Sequence, residues 1–171
     1  MKLFIFSITL FIVCCKESPK HTSIELITEQ TKQEQIFKGL MAVTNNIIPE
    51  NVRKDSLAIL LLPLEVSCPS CRKKTIDSII SHGINLPYRH YIILSATEGY
   101  DSMNKFFKDR KGNIPPITNR LFLDSINHAR VLRLVNNKPT IYYTSGEKAF
   151  KRVSSIPETI KSDLKEFFSG S

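Results

Sequence analysis

Short continuous apolar runs alternate with helix-spaced apolar positions along most of the 171-residue chain. The run 57–62 is aliphatic throughout, which is typical of a central strand covered on both faces. Pro139 opens another apolar run, and the turn Ser145-Gly146-Glu147 predicts a hairpin after it. The predicted strands are 57–62, 88–96, 120–123, 139–143 and 148–153. The predicted helices are 29–46, 72–82, 100–110, a segment capped by Ser125 that carries Ala129, Leu132 and Val135, and 157–168.

Strands and helices alternate through the chain before a final hairpin and a terminal helix. This order predicts an α/β fold with a central mixed β-sheet flanked by helices. The stretch just before residue 29 is a candidate edge strand. A hydrophobic content of 42% and a charged content of 23% are globular values, and we expect one monomeric domain.

The first fifteen residues have the pattern of an export signal rather than of a folded element. Lys2 is followed by the apolar stretch 3–13, which is too short to span a bilayer comfortably. This segment resembles a bacterial lipoprotein signal, with Cys15 as the lipidated residue; cleavage before Cys14, an uncleaved anchor and a plain secretory signal are the alternatives. We therefore predict a signal and anchor over 1–15, a tether and N-terminal extension over 16–54, and a folded domain over 55–171.

The net charge of +8 is dispersed along the chain. Its densest basic cluster is Arg72-Lys73-Lys74, and no long basic run exists. Dispersed positive charge is more typical of solubility or of contact with an anionic surface than of nucleic-acid recognition. The expected partners therefore include the membrane that would hold the anchor, and exclude nucleic acid.

Two of the four cysteines remain for the folded part once Cys14 and Cys15 are assigned to the signal. Cys68 and Cys71 stand two residues apart, between a buried strand and a helix start, where unpaired N–H groups stabilise a thiolate. A structural zinc site needs four ligands, and no second cysteine pair or closely spaced histidine pair exists. No metal and no cofactor are predicted, although a soft ion such as Cu(I) with His90 or His128 as third ligand stays open.

The order of these elements over 55–168 resembles the thioredoxin-like superfamily, and specifically its redoxin branch, which includes TlpA-like membrane-tethered envelope proteins. Three motifs carry the resemblance. They are Cys68-Pro69-Ser70-Cys71, Lys138-Pro139-Thr140 and Ser145-Gly146-Glu147.

The resemblance implies a thiol-disulfide oxidoreductase that acts on envelope proteins with thiols or disulfides. Cys68 would be the exposed nucleophile and Cys71 the resolving thiol. Pro139 would follow a cis bond and face the two sulfurs, and with Lys138 and Thr140 it would bind an extended partner peptide. The helix end and the charges of Arg72 and Lys73 are expected to lower the pKa of the Cys68 thiol, with a further contribution from Lys138.

Two departures from the family pattern keep other functions open. Ser67 stands where an aromatic residue usually precedes the first cysteine, and the acidic residue of the preceding strand is missing. Glu65 is the only nearby acid, and it is either a proton relay or an ordinary loop carboxylate. The alternatives are a non-catalytic binding module with an inert Cys68–Cys71 disulfide, and copper handling. Peroxidase activity would need a cysteine in a Thr/Pro-rich loop that this chain lacks.

Overall fold

A computed structural model describes residues 24–170 of the chain. It contains a six-stranded sheet and six α-helices within that range. The strands are β1 Ile24–Leu26, β2 Leu57–Pro63, β3 His90–Ser95, β4 Leu121–Asp124, β5 Thr140–Ser145 and β6 Lys148–Ser154. The helices are α1 Gln30–Val43, α2 Glu50–Arg53, α3 Pro69–His82, α4 Gly99–Lys108, α5 His128–Val131 and α6 Ile160–Ser169.

The strand order in the sheet is β1-β6-β5-β2-β3-β4. Strands β2, β3 and β4 are parallel to one another, whereas β5 and β6 form an antiparallel hairpin beside β2 and β1 pairs antiparallel with β6. The sheet is therefore mixed and is flanked by helices, which confirms the predicted α/β fold class.

Strand β2 lies at the centre, and all seven of its residues are buried. Its side chains alternate between two apolar clusters because successive residues of a strand point to opposite faces. Leu60 and Leu62 belong to the cluster beneath α3, α4 and α6, and Ile59 and Leu61 belong to the cluster beneath α1 and α5. This double coverage explains why the run 57–62 carries no polar residue.

The part of the predicted extension that begins at residue 24 is built into the domain. Strand β1 pairs with β6, and α1 buries Phe37, Leu40 and Met41 on the second face of the sheet. The predicted edge strand and first helix are thus confirmed. The signal, the tether up to residue 23 and Cys15 lie outside the described residues.

The predicted hairpin is confirmed at a two-residue turn between the paired residues Ser145 and Lys148. Gly146 and Glu147 have φ angles of 56° and 62°. Positive φ at both central residues is the type I′ geometry, whose twist matches that of the flanking strands.

The segment after β4 differs from the prediction. Helix α5 spans only His128–Val131, and the N–H groups of His128 and Ala129 donate to the Asp124 carboxylate at 2.8 Å each. Ser125 is therefore not the cap of this helix. Arg133 has a φ of 57°, a left-handed conformation that a right-handed helix cannot continue. The longer predicted helix that included Leu132 and Val135 is wrong for this reason.

In the part of the chain that the structure covers, no helix has both the length and the apolar character that crossing a bilayer requires.

Candidate active site

The candidate site lies at one edge of the sheet, which we call the cysteine edge. Here the parallel strands β2, β3 and β4 end and the antiparallel strand β5 begins, as the pairing of Leu61 with Thr140 shows. Ligand sites of open α/β sheets lie at the carboxyl ends of parallel strands. The topology brings both predicted motifs, Cys68–Cys71 and Lys138–Thr140, to this edge.

Cys68 is the N-cap residue of α3, and Pro69 is the first residue of the helix. Proline suits this position because its fixed φ is helical and its missing N–H would have no partner within the helix. Cys68 is partly exposed, whereas Cys71, one turn into the helix, is fully buried. Both side chains are free thiols. The same helix start thus presents one sulfur to solvent and keeps the other inside.

Hydrogen bonds lower the pKa of the Cys68 thiol to about 7. The largest contribution comes from Ser70, whose Oγ lies 3.2 Å from the Cys68 Sγ. The backbone N–H and the thiol of Cys71 contribute next. These donors stabilise the charged thiolate more than the neutral thiol, so that about half of Cys68 is ionised at neutral pH.

Burial raises the pKa of the Cys71 thiol to about 11. The neighbouring Cys68 adds to this effect, both through its hydrogen bond with Cys71 and through its charge. At neutral pH Cys71 is therefore protonated, whereas Cys68 is about half ionised. Cys68 is therefore suited to be the nucleophile, whereas Cys71 must lose its proton before it can attack a disulfide.

Arg72, whose charge is expected to lower the Cys68 pKa, contacts the loop before the cysteines and helix α4. Its guanidinium donates to the backbone oxygen of Leu64 at 2.8 Å and lies 4.9 Å from the centroid of the Phe106 ring. The causes of the lowered Cys68 pKa are hydrogen bonds, and neither Arg72 nor Lys73 is among them. The effect predicted for these two charges is therefore not among the causes of the shift, and Arg72 is held against the loop that precedes the cysteines.

The segment 137–140 forms the wall beside the cysteines. The N–H of Cys68 donates to the backbone oxygen of Asn137 at 3.3 Å, and the Pro139 oxygen accepts from the N–H of Ser155 at 2.9 Å. Pro139 and Thr140 are buried, whereas Lys138 is exposed. The bond to Asn137 places the start of this segment beside Cys68, and the role of Lys138, Pro139 and Thr140 in binding a peptide stays a prediction.

The cis bond expected before Pro139 is absent. Residues 24–170 contain no cis peptide bond. Trans is the favoured isomer even before proline, by about 0.5–1 kcal/mol. In this turn the Thr140 hydroxyl donates to the Lys138 oxygen at 3.1 Å. The backbone hydrogen bond with the cysteine loop is made by the Asn137 oxygen.

Glu65 lies in the loop between β2 and α3, and its carboxylate binds Thr97. One of its carboxylate oxygens accepts from both the N–H and the hydroxyl of Thr97, at 2.9 and 2.7 Å. The two bonds join the cysteine loop to the end of β3. This geometry favours the loop-carboxylate interpretation over the proton relay.

The copper alternative gains no third ligand from the geometry. His90 begins β3 beside Ala58, at the edge of the sheet opposite to the cysteines, and its Nδ1 lies 2.7 Å from the Phe167 oxygen. Among residues 24–170, no three His, Cys, Asp or Glu side chains converge as metal ligands would.

The sequence analysis missed two contacts of the site. The Ser70 hydroxyl is the main partner of the Cys68 sulfur, and the Asn137 backbone anchors the cysteine loop. A hydroxyl two residues from a cysteine is a visible signal, because it lies within reach of the helix start. A backbone carbonyl leaves no signal in the residue type.

A mixed sheet with this element order, and a Cys-x-x-Cys pair at the start of the helix after the central strand, define a protein of the thioredoxin-like fold class. No protein-family model and no curated protein matches the chain. Among solved structures, the chain is similar to a thiol-disulfide isomerase from Corynebacterium glutamicum, at 13% identity and a TM-score of 0.39, over 71% of this chain and 86% of that one. It is also similar to a DsbF homologue from Corynebacterium diphtheriae, at 10% identity and a TM-score of 0.41, over 87% of this chain and 96% of that one.

Proposed function

We propose that this protein is a thiol-disulfide oxidoreductase that acts on disulfides of envelope proteins through Cys68 and Cys71. The observation that carries the proposal is the placement of two free thiols one helical turn apart, one partly exposed and one buried. Their pKa values, about 7 for Cys68 and about 11 for Cys71, suit a nucleophile and a resolving thiol.

The exchange follows from these two thiols. The Cys68 thiolate attacks one sulfur of a partner disulfide, the partner S–S bond breaks, and a Cys68–partner disulfide forms while the other partner sulfur leaves as a thiolate. That thiolate is a suitable acceptor for the Cys71 proton. Cys71 then attacks the Cys68 sulfur and releases the second partner sulfur. The partner gains two electrons, and this chain ends with a Cys68–Cys71 disulfide; oxidation of a partner is the same path reversed.

We further propose that the chain is exported and held at the membrane by a lipid on Cys15. The basic Lys2, the apolar stretch 3–13 and the sharp polar turn after Cys15 support this location. An oxidising compartment would supply disulfide substrates. Mass analysis of the mature N-terminus tests the anchor, and lipid on Cys14 or on neither cysteine would contradict it.

Trapping tests the dithiol chemistry directly. Cys71→Ser removes the resolving thiol, so it should accumulate mixed disulfides with envelope proteins on Cys68. The matched variant Cys68→Ser keeps one cysteine of the pair but lacks the exposed nucleophile, and it should accumulate few mixed disulfides. Equal trapping by both variants, or trapping by neither, would contradict the assignment.

A reduction potential separates this function from the inert-disulfide alternative. A structural bond in an exported protein typically has a potential below about −300 mV, whereas catalytic dithiols lie above this value. We expect the Cys68–Cys71 couple in the second range, because the lowered Cys68 pKa stabilises the reduced form. Equilibration of the full chain with glutathione buffers gives the value.

A further inference from the structure

The connection between β4 and β5, residues 125–139, exposes large apolar side chains. Ile126 is 75% exposed, Val131 is 73% exposed and Leu132 is 39% exposed. Single apolar residues on a surface are common, but three within one short connection concentrate apolar surface there, which indicates contact with another surface.

The same connection is basic and contains no acidic residue. Its three cations, Arg130, Arg133 and Lys138, are all exposed. None of their side chains has an ion-pair partner within residues 24–170, whereas Arg110 and Arg152 elsewhere pair with carboxylates. Unpaired cations beside exposed apolar side chains are the combination that binds at the interface of an anionic bilayer.

This connection lies at the cysteine edge and touches the dithiol loop. It begins where β4 ends and finishes where β5 starts, and its Asn137 oxygen accepts the Cys68 N–H at 3.3 Å. Whatever covers the connection therefore lies next to the site of disulfide exchange.

The chain enters the domain from the same edge. Ile24 pairs with Val153 and Leu26 pairs with Lys151, so that β1 runs antiparallel to β2 and away from the cysteine edge. If Cys15 carries the lipid, the nine steps to Ile24 span at most about 30 Å when extended and about 17 Å as a flexible coil. A domain of roughly 150 residues is wider than this coil, since its radius of gyration alone is about 15 Å. The short tether would therefore keep the cysteine edge nearer to the bilayer.

We propose that residues 125–139 form a membrane-contact surface for anionic lipid headgroups. Its three cations bind the headgroups, and its three exposed apolar side chains enter the interface between headgroups and acyl chains. This placement presents Cys68 to disulfides in membrane-proximal segments of envelope proteins. The proposal rests on the anchoring in the proposed function for proximity, and it does not depend on the dithiol chemistry.

A polarity-sensitive fluorophore on the anchored protein tests the contact. The Cys68→Ser/Cys71→Ser protein receives the probe through Val131→Cys, and the matched control receives it through Ile84→Cys, which replaces a side chain of 71% exposure after α3, at the opposite edge. On vesicles of phosphatidylcholine and phosphatidylglycerol, we expect the probe at 131 to shift to the blue and to be quenched by a nitroxide headgroup lipid. The probe at 84 should keep its emission in water.

Equal emission from the two probes, or greater quenching at 84, would overturn the proposal. A probe at 131 that is water-like on pure lipid but shielded in native membranes would show that the surface binds a protein, and the membrane proposal would be wrong. Fractionation of the same samples reports whether the chain is anchored at all. Because both cysteines of the dithiol are replaced, the result is independent of disulfide exchange.

Charge reversal supplies the second measurement. Arg130→Glu/Arg133→Glu and the control Lys108→Glu/Lys111→Glu change the net charge equally, and the control cations lie at the end of α4, away from the cysteine edge. Each cation at an anionic surface contributes roughly fivefold to binding. We expect the charge reversal at 130 and 133 to abolish the blue shift at 131 and the control reversal to leave it unchanged. The neutral variant Arg130→Gln/Arg133→Gln should weaken the blue shift. Retention of the shift in both Arg variants would contradict a role for these cations.

Discussion

The side chain of Ser70 has the largest effect on the ionisation of Cys68. Its hydroxyl lies 3.2 Å from the sulfur and heads the causes that lower the Cys68 pKa to about 7. Cys68 itself is partly exposed, so burial opposes its ionisation only weakly. A single hydroxyl thus decides much of the reactivity of the proposed nucleophile.

We predict that Ser70→Ala raises the pKa of Cys68. The variant loses the donor that stabilises the thiolate, while the N–H and the thiol of Cys71 remain. A rise of one unit would reduce the thiolate fraction at pH 7 from about one half to about one tenth. The rate of iodoacetamide alkylation of Cys68, measured as a function of pH, gives the apparent pKa.

Ser81→Ala is the matched control, because Ser81 is exposed on the same helix α3 and far along it from the cysteines. Its alkylation profile should equal that of the unaltered protein. A profile of Ser70→Ala that also stays unchanged would show that the hydroxyl does not stabilise the thiolate.

The opposed pKa values also predict how the reduction potential depends on pH. Below pH 7, reduction of the disulfide takes up two protons with two electrons, which gives a slope of about −59 mV per pH unit. Between pH 7 and pH 11 the reduced form keeps only the Cys71 proton, so the slope halves to about −30 mV per unit. Thiolate formation by Cys68 stabilises the reduced form, so the reduction potential falls less steeply with pH above the Cys68 pKa of about 7.

Equilibration with a dithiol of known potential at several pH values measures this slope. The break should move to higher pH in Ser70→Ala. A slope of about −59 mV per unit that holds up to about pH 8.5 before it halves would mean that Cys68 ionises with an ordinary cysteine pKa.

The residue types of the site were easier to predict than their partners. Spacing identified Cys68 and Cys71, since the other two cysteines, Cys14 and Cys15, fall in the predicted signal. The hydrogen bond of Arg72 to Leu64 was not predicted, because a sequence shows the charge of a side chain but not the carbonyl that it reaches. The direction of a long flexible side chain depends on neighbours such as Phe106, which lies on another helix.

At the scale of elements, Arg72 connects the start of α3 to the loop after β2 and to α4. Its guanidinium donates to the Leu64 oxygen at 2.8 Å, and the Phe106 ring of α4 lies beneath it at 4.9 Å. The loop that presents Cys68 is thus fixed at both ends, by Arg72 on one side and by the Asn137 oxygen on the other.

We predict that Arg72→Ala lowers the free energy of unfolding by about 1–3 kcal/mol, because it removes a charged hydrogen bond and a cation–π contact. The apparent pKa of Cys68 should stay near 7, since hydrogen bonds and not the Arg72 charge lower it. Urea unfolding and alkylation against pH measure the two quantities on the same samples. The control Lys73→Ala, at an exposed neighbour, should change neither.

A marked rise of the Cys68 pKa in Arg72→Ala, together with unchanged stability, would reverse this assignment. It would mean that the charge acts on the sulfur through space, as the sequence suggested.

The elements that the sequence predicted best are those with a simple burial pattern. The strand 57–62 follows from its continuous apolar run, and the hairpin around Gly146 follows from its turn residues; both are local properties of the sequence. The segment after β4 was predicted poorly because its start is set by the buried Asp124, which replaces Ser125 as the acceptor for the first N–H groups of α5. Asp124 was assigned to neither the strand nor the cap, and only the register with Ser95 shows its position.

At the scale of the whole molecule, apolar side chains must cover both faces of the sheet. The N-terminal elements cover most of the face on which α1 packs. Helix α1 and the segments next to it bury a set of apolar side chains against β2, β3 and β5. The members from residues 24–54 are Ile27, Phe37, Leu40, Met41, Val43 and Ile48, all at most 6% exposed. A sequence pattern shows that such a helix is amphipathic, but it does not show which sheet face lacks a cover.

We predict that a chain beginning at Asp55, the predicted start of the domain, does not fold cooperatively. Each buried side chain of this set contributes about 1.5–3 kcal/mol, so their combined loss of roughly 10 kcal/mol or more equals the whole stability of a typical domain, about 5–15 kcal/mol. Ile59, Leu61 and Tyr142 would then face water. Urea unfolding of chains 55–171 and 24–171, followed by near-ultraviolet circular dichroism, tests this prediction. Only the longer chain should show a cooperative transition. A cooperative transition in the shorter chain would show that the domain folds without residues 24–54.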